Sequence, residues 1–199
     1  MFKFFVHSIE TKFEMRNFIF LIAASLLLAN CTKKIGRLQL ADYKSIERIK
    51  IGMPMDEAIK IANKNFVAEK SKILAYDNDA NEYEYIVYSD KSKKESLFTF
   101  NEGHDKKTVN KVFRIVIKSP KYSTQEGIRV GMSMKELKAK GLLKSADFNY
   151  NDGLYIFSNK FDGGYWMDTD MKKFSSYNFE KPKINTVPES MKIKGIIIF

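Results

Sequence analysis

Apolar positions along this chain follow three patterns. Residues 18–29 form a nearly unbroken apolar run. Met55, Ala58, Ile59 and Ala62 recur at the spacing of one helical face, and Met134 and Leu137 begin a second such face that ends at Gly141. Most of the remainder reads as short strands. Such stretches cover 72–76, 82–89, 95–100 and 111–118 after the first helix, and 148–150, 154–158, 164–168 and 191–199 after the second. Residues 111–118 set Phe113, Ile115 and Ile117 against Val112, Arg114 and Val116. Gly103 with its polar neighbours, Asn151-Asp152-Gly153 and Asp162-Gly163-Gly164 supply hairpin turns. Pro182 and Pro188 bracket a loop before the final strand. Each half of the chain therefore reads as a helix followed by an antiparallel β-meander, and the predicted class is α+β.

The halves also match in sequence. Seven of the sixteen residues from Tyr43 to Ala58 recur 79 positions later, from Tyr122 to Leu137. The shared core is Gly-Met-x-Met-x-Glu, with Gly52 and Met53 in the first copy and Gly131 and Met132 in the second. Glycine permits a backbone turn that other residues resist. Ser133 with Glu136 three residues on forms a capping box, and in the first copy Pro54 suits a helix start. Asp56 and Glu57 favour the positive end of the helix dipole. The expected organisation is repeat unit 1 at 36–118 and repeat unit 2 at 119–199, packed together as one domain. Gly52, Met53, Gly131, Met132 and Ser133 are the expected structural motif, and the methionines at helical spacing read as core.

This unit resembles small envelope lipoproteins of the BamE kind. It is also similar to the tandem repeat of beta-lactamase inhibitor protein. Residues 111–137, with Asp162-Gly163-Gly164-Tyr165, resemble uncharacterised exported proteins of bacteria. These resemblances imply protein binding or assembly without a catalytic apparatus, and they carry no particular residue over as a binding contact.

The run at 18–29 is too short for a membrane-spanning helix, which needs about 20 apolar residues. With Arg16 before it, the run fits the apolar core of a signal peptide over 1–30, and Met15 is the expected true start. Leu28, Ala29 and Cys31 resemble a bacterial lipoprotein signal, with Asn30 where Gly, Ala or Ser is usual. The resemblance implies cleavage before Cys31, lipid (palmitate included) on its thiol, and a short tether over 31–35. The expected address is the bacterial cell envelope, lipid-anchored, the outer membrane before the inner.

Charge and chemistry narrow the functions. The net charge is +10, yet the lysines are scattered and only Arg37, Arg48, Arg114 and Arg129 follow the signal. That dispersal reads as a solvated surface attracted to anionic lipid rather than a nucleic-acid face. Cys31 is the single cysteine, so its lipidation would leave no thiol chemistry. His104 is the only histidine beyond the signal and lies in a turn. Asp77-Asn78-Asp79 begins like a calcium loop but has Glu82 where Gly is needed and Tyr88 where Glu is needed. No catalytic residue, metal or cofactor is expected, and the expected partner is an envelope protein. Tyr165 and Trp166, beside Asp162, Asp168 and Asp170, are the alternative ligand surface, suited to a carbohydrate or peptidoglycan strand. A weak hydrolase ranks last.

Overall fold

A computed structural model describes residues 43–73, 83–149, 153–170, 172–173 and 177–199. These all belong to one compact unit, Gly36–Phe199. The signal, Cys31, the calcium-like stretch at 77–82 and the turn residues Asn151 and Asp152 lie outside the described residues.

The chain enters through a two-strand hairpin, β1 (Ser45–Ile46) and β2 (Ile49–Lys50), which sequence patterning did not reveal. Its turn residues Glu47 and Arg48 both have positive φ, +48° and +72°, as a primed hairpin turn requires. Helix α1 (Met55–Asn65) follows Pro54, carries Asp56 and Glu57 in its first turn and Lys64 in its last, and buries Ala58 and Ala62. Strands β3 (Val67–Lys72), β4 (Tyr83–Tyr88), β5 (Ser96–Glu102) and β6 (Val112–Ile117) come next. Helix α2 (Met134–Ala139) then opens the second half, ahead of β7 (Leu143–Asn149), β8 (Gly153–Ser158), β9 (Gly163–Met167), a 3-10 turn (Ile184–Thr186) and β10 (Ile193–Ile198).

Two strands differ from expectation. β3 (Val67–Lys72) starts two residues after α1 ends and meets the strand expected at 72–76 only at Lys72, residues 74–76 lying outside the described residues, and the strand expected at 148–150 is the longer β7. Both are edge strands of the sheet. An edge strand pairs on one side only and tolerates the charged sequences seen here, so its apolar alternation is weak.

All eight main strands form one antiparallel sheet in the order β3-β4-β5-β6-β10-β9-β8-β7. The last strands of the two halves, β6 and β10, pair at its centre. Register puts Ala68, Val87, Phe98, Ile117, Ile196, Tyr165, Ile156 and Ala146 in one row across every strand. Ala58 and Ala62 of α1, Met134 and Leu137 of α2, Ile46 and Ile49 of the β1–β2 hairpin, and Ile128 before α2 join that row in the core. Each fully buried Phe or Ile there contributes roughly 1.5–3 kcal/mol.

The connection from β9 to β10 also covers this face. It buries Phe179, Val187 and Met191, and Phe148 of β7 meets Phe179 at 5.1 Å. Lys138 of α2 pins it by donating to the carbonyls of Asn185 and Val187 at 3.3 and 3.2 Å.

Candidate binding face

The repeated Gly-Met motif is a backbone clasp. Gly52 N–H donates to the Val112 carbonyl at 2.7 Å, and Val112 N–H returns to the Met53 carbonyl at 2.8 Å. In the second half Gly131 N–H donates to Ile193 and Ile193 N–H to Met132, both at 2.8 Å. Each clasp ties the start of a helix to the last strand of its own half. The glycines sit at φ +82° and +89°, where a side chain is strained. Met53 and Met132 are partly buried against the core. Ser133 makes the full capping box: its Oγ accepts from Glu136 N–H at 3.3 Å, and its own N–H donates to the Glu136 carboxylate at 2.8 Å. That bonding holds the Glu136 carboxyl below its usual range.

Tyr165 and Trp166 do not share a surface. Successive strand residues point to opposite faces, and Tyr165 is wholly buried in the helix-side core. Its hydroxyl makes no hydrogen bond of normal geometry among the described residues. Burial pushes it up to about 12, with Ser158 acting in the opposite direction. Phe100 holds the corresponding place in the first half, without a hydroxyl: Phe100 pairs Ile115 as Tyr165 pairs Ile196.

Trp166 belongs to the other face, neither packed into the core nor freely exposed. The central row of that face runs Glu69, Ile86, Thr99, Val116, Ile197, Gly164, Phe157. Val116 and Ile197 are 8% and 3% exposed, yet neither joins the core cluster, so their cover comes from neighbours on their own face. Trp166 lies beside Val116, over Gly195. A Cβ on Gly195 would meet Trp166 Cε3 at 3.3 Å and Val116 Cγ1 at 3.2 Å, and one on Gly153 would meet Trp166 Nε1 at 3.5 Å. The indole thus lies across β9, from a glycine seat on β10 to another on β8. Tyr155 stands nearly parallel to it, 6.5 Å between centroids and 16° between planes. The Lys194 ammonium sits 4.3 Å from the indole centroid. A sugar stacking on that side would have to displace Lys194 first. Half-buried Tyr88, Ile86 and Phe157 extend the apolar strip. Gly195 inside a strand is the sequence signal that could have pointed to this close approach.

The remaining candidates lie apart. His104 is exposed in the β5–β6 turn. Asp162 is exposed at the β8–β9 turn, and Asp170 pairs with Lys173 at 3.3 Å. Among the described residues no three His, Cys, Asp or Glu side chains converge to hold a metal ion, and no helix is long and apolar enough to cross a membrane. A cleft of about 490 Å³ at the β8–β9 turn is lined by Lys144, Lys160 and Asp162 with Phe157, Ser158 and Phe161. Its mixed charges favour no single ligand. Beside it, Tyr43 stacks on Phe161 at 4.9 Å and donates its hydroxyl to half-buried Glu126. Burial opposes the Glu126 charge. Hydrogen bonds from Tyr43, its own backbone and Thr124, with Lys160 nearby, outweigh that and hold its pKa below the usual range. Burial, reinforced by the acid each one faces, raises the Tyr43 and Tyr122 hydroxyls well above the usual tyrosine value.

No protein-family model matches the chain, and no curated protein matches it. Among solved structures it is similar to the crystal structure of the uncharacterized protein yfeY from Escherichia coli. The TM-score is 0.52 at 13% identity, over 78% of this chain and 96% of that one. At that identity the likeness shows a shared fold: mixed α and β, with a mostly antiparallel sheet.

Proposed function

We propose that this is a non-enzymatic lipoprotein of the bacterial cell envelope, anchored through lipid on Cys31, that binds another protein on the face of the sheet opposite its helices. We further propose that it is a tandem of two related helix-plus-meander units closed into one domain. The observation that carries the binding role is the half-buried strip of Tyr88, Ile86, Phe157, Tyr155 and Trp166 on the face away from both helices. Aromatic side chains of this kind anchor protein interfaces because they bury much area at little entropic cost.

The tandem reading is supported by more than the sequence repeat. The two clasps are equivalent bond for bond. A bulge falls at the same place in each half, where Asn101/Glu102 face Arg114/Val112 across Phe113 and Trp166/Met167 face Gly195/Ile193 across Lys194.

Photo-crosslinking in intact cells tests the binding face. A crosslinker at Phe157 should capture a discrete protein, and one at exposed Lys140 beside α2 should not. Equal capture from both sites, or none from Phe157, would count against the assignment. Labelling with a palmitate analogue should be lost in Cys31→Ser, and persistent label would remove the anchor.

A further inference from the structure

The contacts between the two halves are reciprocal. Tyr43 and Glu47 of the first half recur as Tyr122 and Glu126 in the second. The Tyr43 hydroxyl donates to Glu126, and the Tyr122 hydroxyl donates to Glu47 at 3.1 Å. Each half therefore offers its tyrosine to the other half's glutamate. The sheet centre obeys the same rule. Val116 faces Ile197, and around that pair Ile117 faces Ile196 while Ile115 faces Ile198. Aligning the halves on their clasps and bulges makes Val116 equivalent to Ile197, Ile115 to Ile196 and Ile117 to Ile198. A half-turn about the Val116–Ile197 pair thus maps the pairing onto itself. Contact of i with j matched by contact of j with i is the signature of an isologous interface, the kind that closes two-fold dimers.

The segment joining the halves is short and self-contained. After Ile117 the chain makes a turn in which Tyr122 N–H donates to the Ser119 carbonyl at 3.4 Å. Ser119 Oγ donates to Glu95 at 3.1 Å, and Lys121 pairs with Glu95. Glu95 precedes β5 in the first half, so these bonds tie the turn to its own half and not across the interface. Straightening the turn would leave the reciprocal surface intact and free each half to meet an identical surface elsewhere.

We propose that a second copy of this chain is a partner for that surface: two copies exchange their second halves and close a two-fold dimer with the same Tyr–Glu pairs and the same β6–β10 seam, now between chains. The proposal rests on the tandem reading above. The energetic difference from the monomer is confined to the turn and to the entropy of association, which makes exchange a low-cost route to a dimer. Shortening the hinge favours exchange because the halves can then no longer close within one chain.

The test uses the full chain with Cys31→Ser, so that an added pair supplies its only thiols. Val116→Cys with Ile197→Cys sets two thiols directly opposite across the seam, within disulfide reach. With the native turn, oxidation should lock the pair within single chains. With Pro120 and Lys121 deleted, it should give a covalent dimer of twice the chain mass on a non-reducing gel. If the deletion prevents folding, the native-turn chain refolded at rising concentration decides, and the covalent dimer fraction should rise with it. Single-chain product only, in the folded deletion variant or at every refolding concentration, overturns exchange and leaves the tandem reading standing. Failure of the pair to oxidise with the native turn would instead remove the seam and the tandem reading with it.

Discussion

The two halves of the sheet share a frame and differ in what they place on its outer face. In the first half that face carries Thr99 and a polar couple, with Arg114 Nε donating to Asn101 Oδ1 at 3.0 Å. In the second half the positions with the same register hold Gly164, Gly195 and Trp166; the indole lies over Gly195, while Gly164 sits close against the Ile156–Phe157 backbone. Backbone hydrogen bonds and inward-facing apolar residues set the frame, and both are kept in each half. The outer face is set by side-chain volume, where Gly195 in place of an Arg makes room for a ring. Tyr155, Phe157 and Trp166 on the second half, against Tyr88 and Ile86 on the first, put the larger aromatic share of the proposed contact surface in the second half.

The most damaging way to test that contrast is to make the second half resemble the first. A Cβ at Gly164 would lie 2.3 Å from the Ile156 carbonyl oxygen, a backbone atom that cannot step aside. Gly164→Thr is therefore expected to cost about 4 kcal/mol or to prevent folding. Thr99→Gly, the reverse exchange, should cost only about 1 kcal/mol. Equal midpoints in denaturant unfolding would show that the close backbone approach at Gly164 is not what separates the halves.

Next come the clasps, where the halves should behave alike. Gly52→Val and Gly131→Val each force a β-branched residue into positive φ, for roughly 1–3 kcal/mol apiece. An unchanged melting temperature in either would break the equivalence. Phe100→Tyr should lose about 1–3 kcal/mol by burying a hydroxyl without a partner, whereas Tyr165→Phe should be neutral or stabilising. A large loss in Tyr165→Phe, seen by calorimetry, would mean that its hydroxyl is satisfied.

Smaller again is the helix start. Ser133→Ala should cost about 1 kcal/mol through the capping box, while Pro54→Ala, at a position with no side-chain cap, should stay within about 0.5 kcal/mol.

The smallest effect is the acid response. The folded pKa of Glu126 lies below its ordinary 4.5. Its charged form therefore contributes stability that is fully present above that value and lost as pH falls through the lower, folded value. Denaturant unfolding followed from neutral pH into acid should show a shallower decline in Tyr43→Phe, and an identical slope would leave Glu126 without a role in acid stability.

Much of the frame was legible in the chain. The Gly-Met-x-Met-x-Glu repeat marked both helix starts, Ser133 with Glu136 spelled out the capping box, and the alternation at 111–118 located β6. The edge strands β3 and β7 were hardly legible because their sequences, VAEKSK and LKSADFN, carry little apolar alternation and owe their conformation to pairing with β4 and β8. The hairpin β1–β2 was missed because its turn, Glu47-Arg48, lacks the Gly or Asn that usually takes positive φ. The candidate surface was half legible. Tyr165 and Trp166 stood out together, but a strand sends neighbours to opposite faces, and only Trp166 reaches the outer one.

By itself the sequence determined the local elements, because a glycine at positive φ, a capping serine or an alternating strand acts on residues a few positions away. Only the tertiary structure decided that β6 and β10 meet at the sheet centre, that each tyrosine reaches the opposite glutamate, and that two glycines on separate strands seat one tryptophan. Those outcomes depend on which distant strands become neighbours, and that is settled by burying one continuous apolar row across all eight of them.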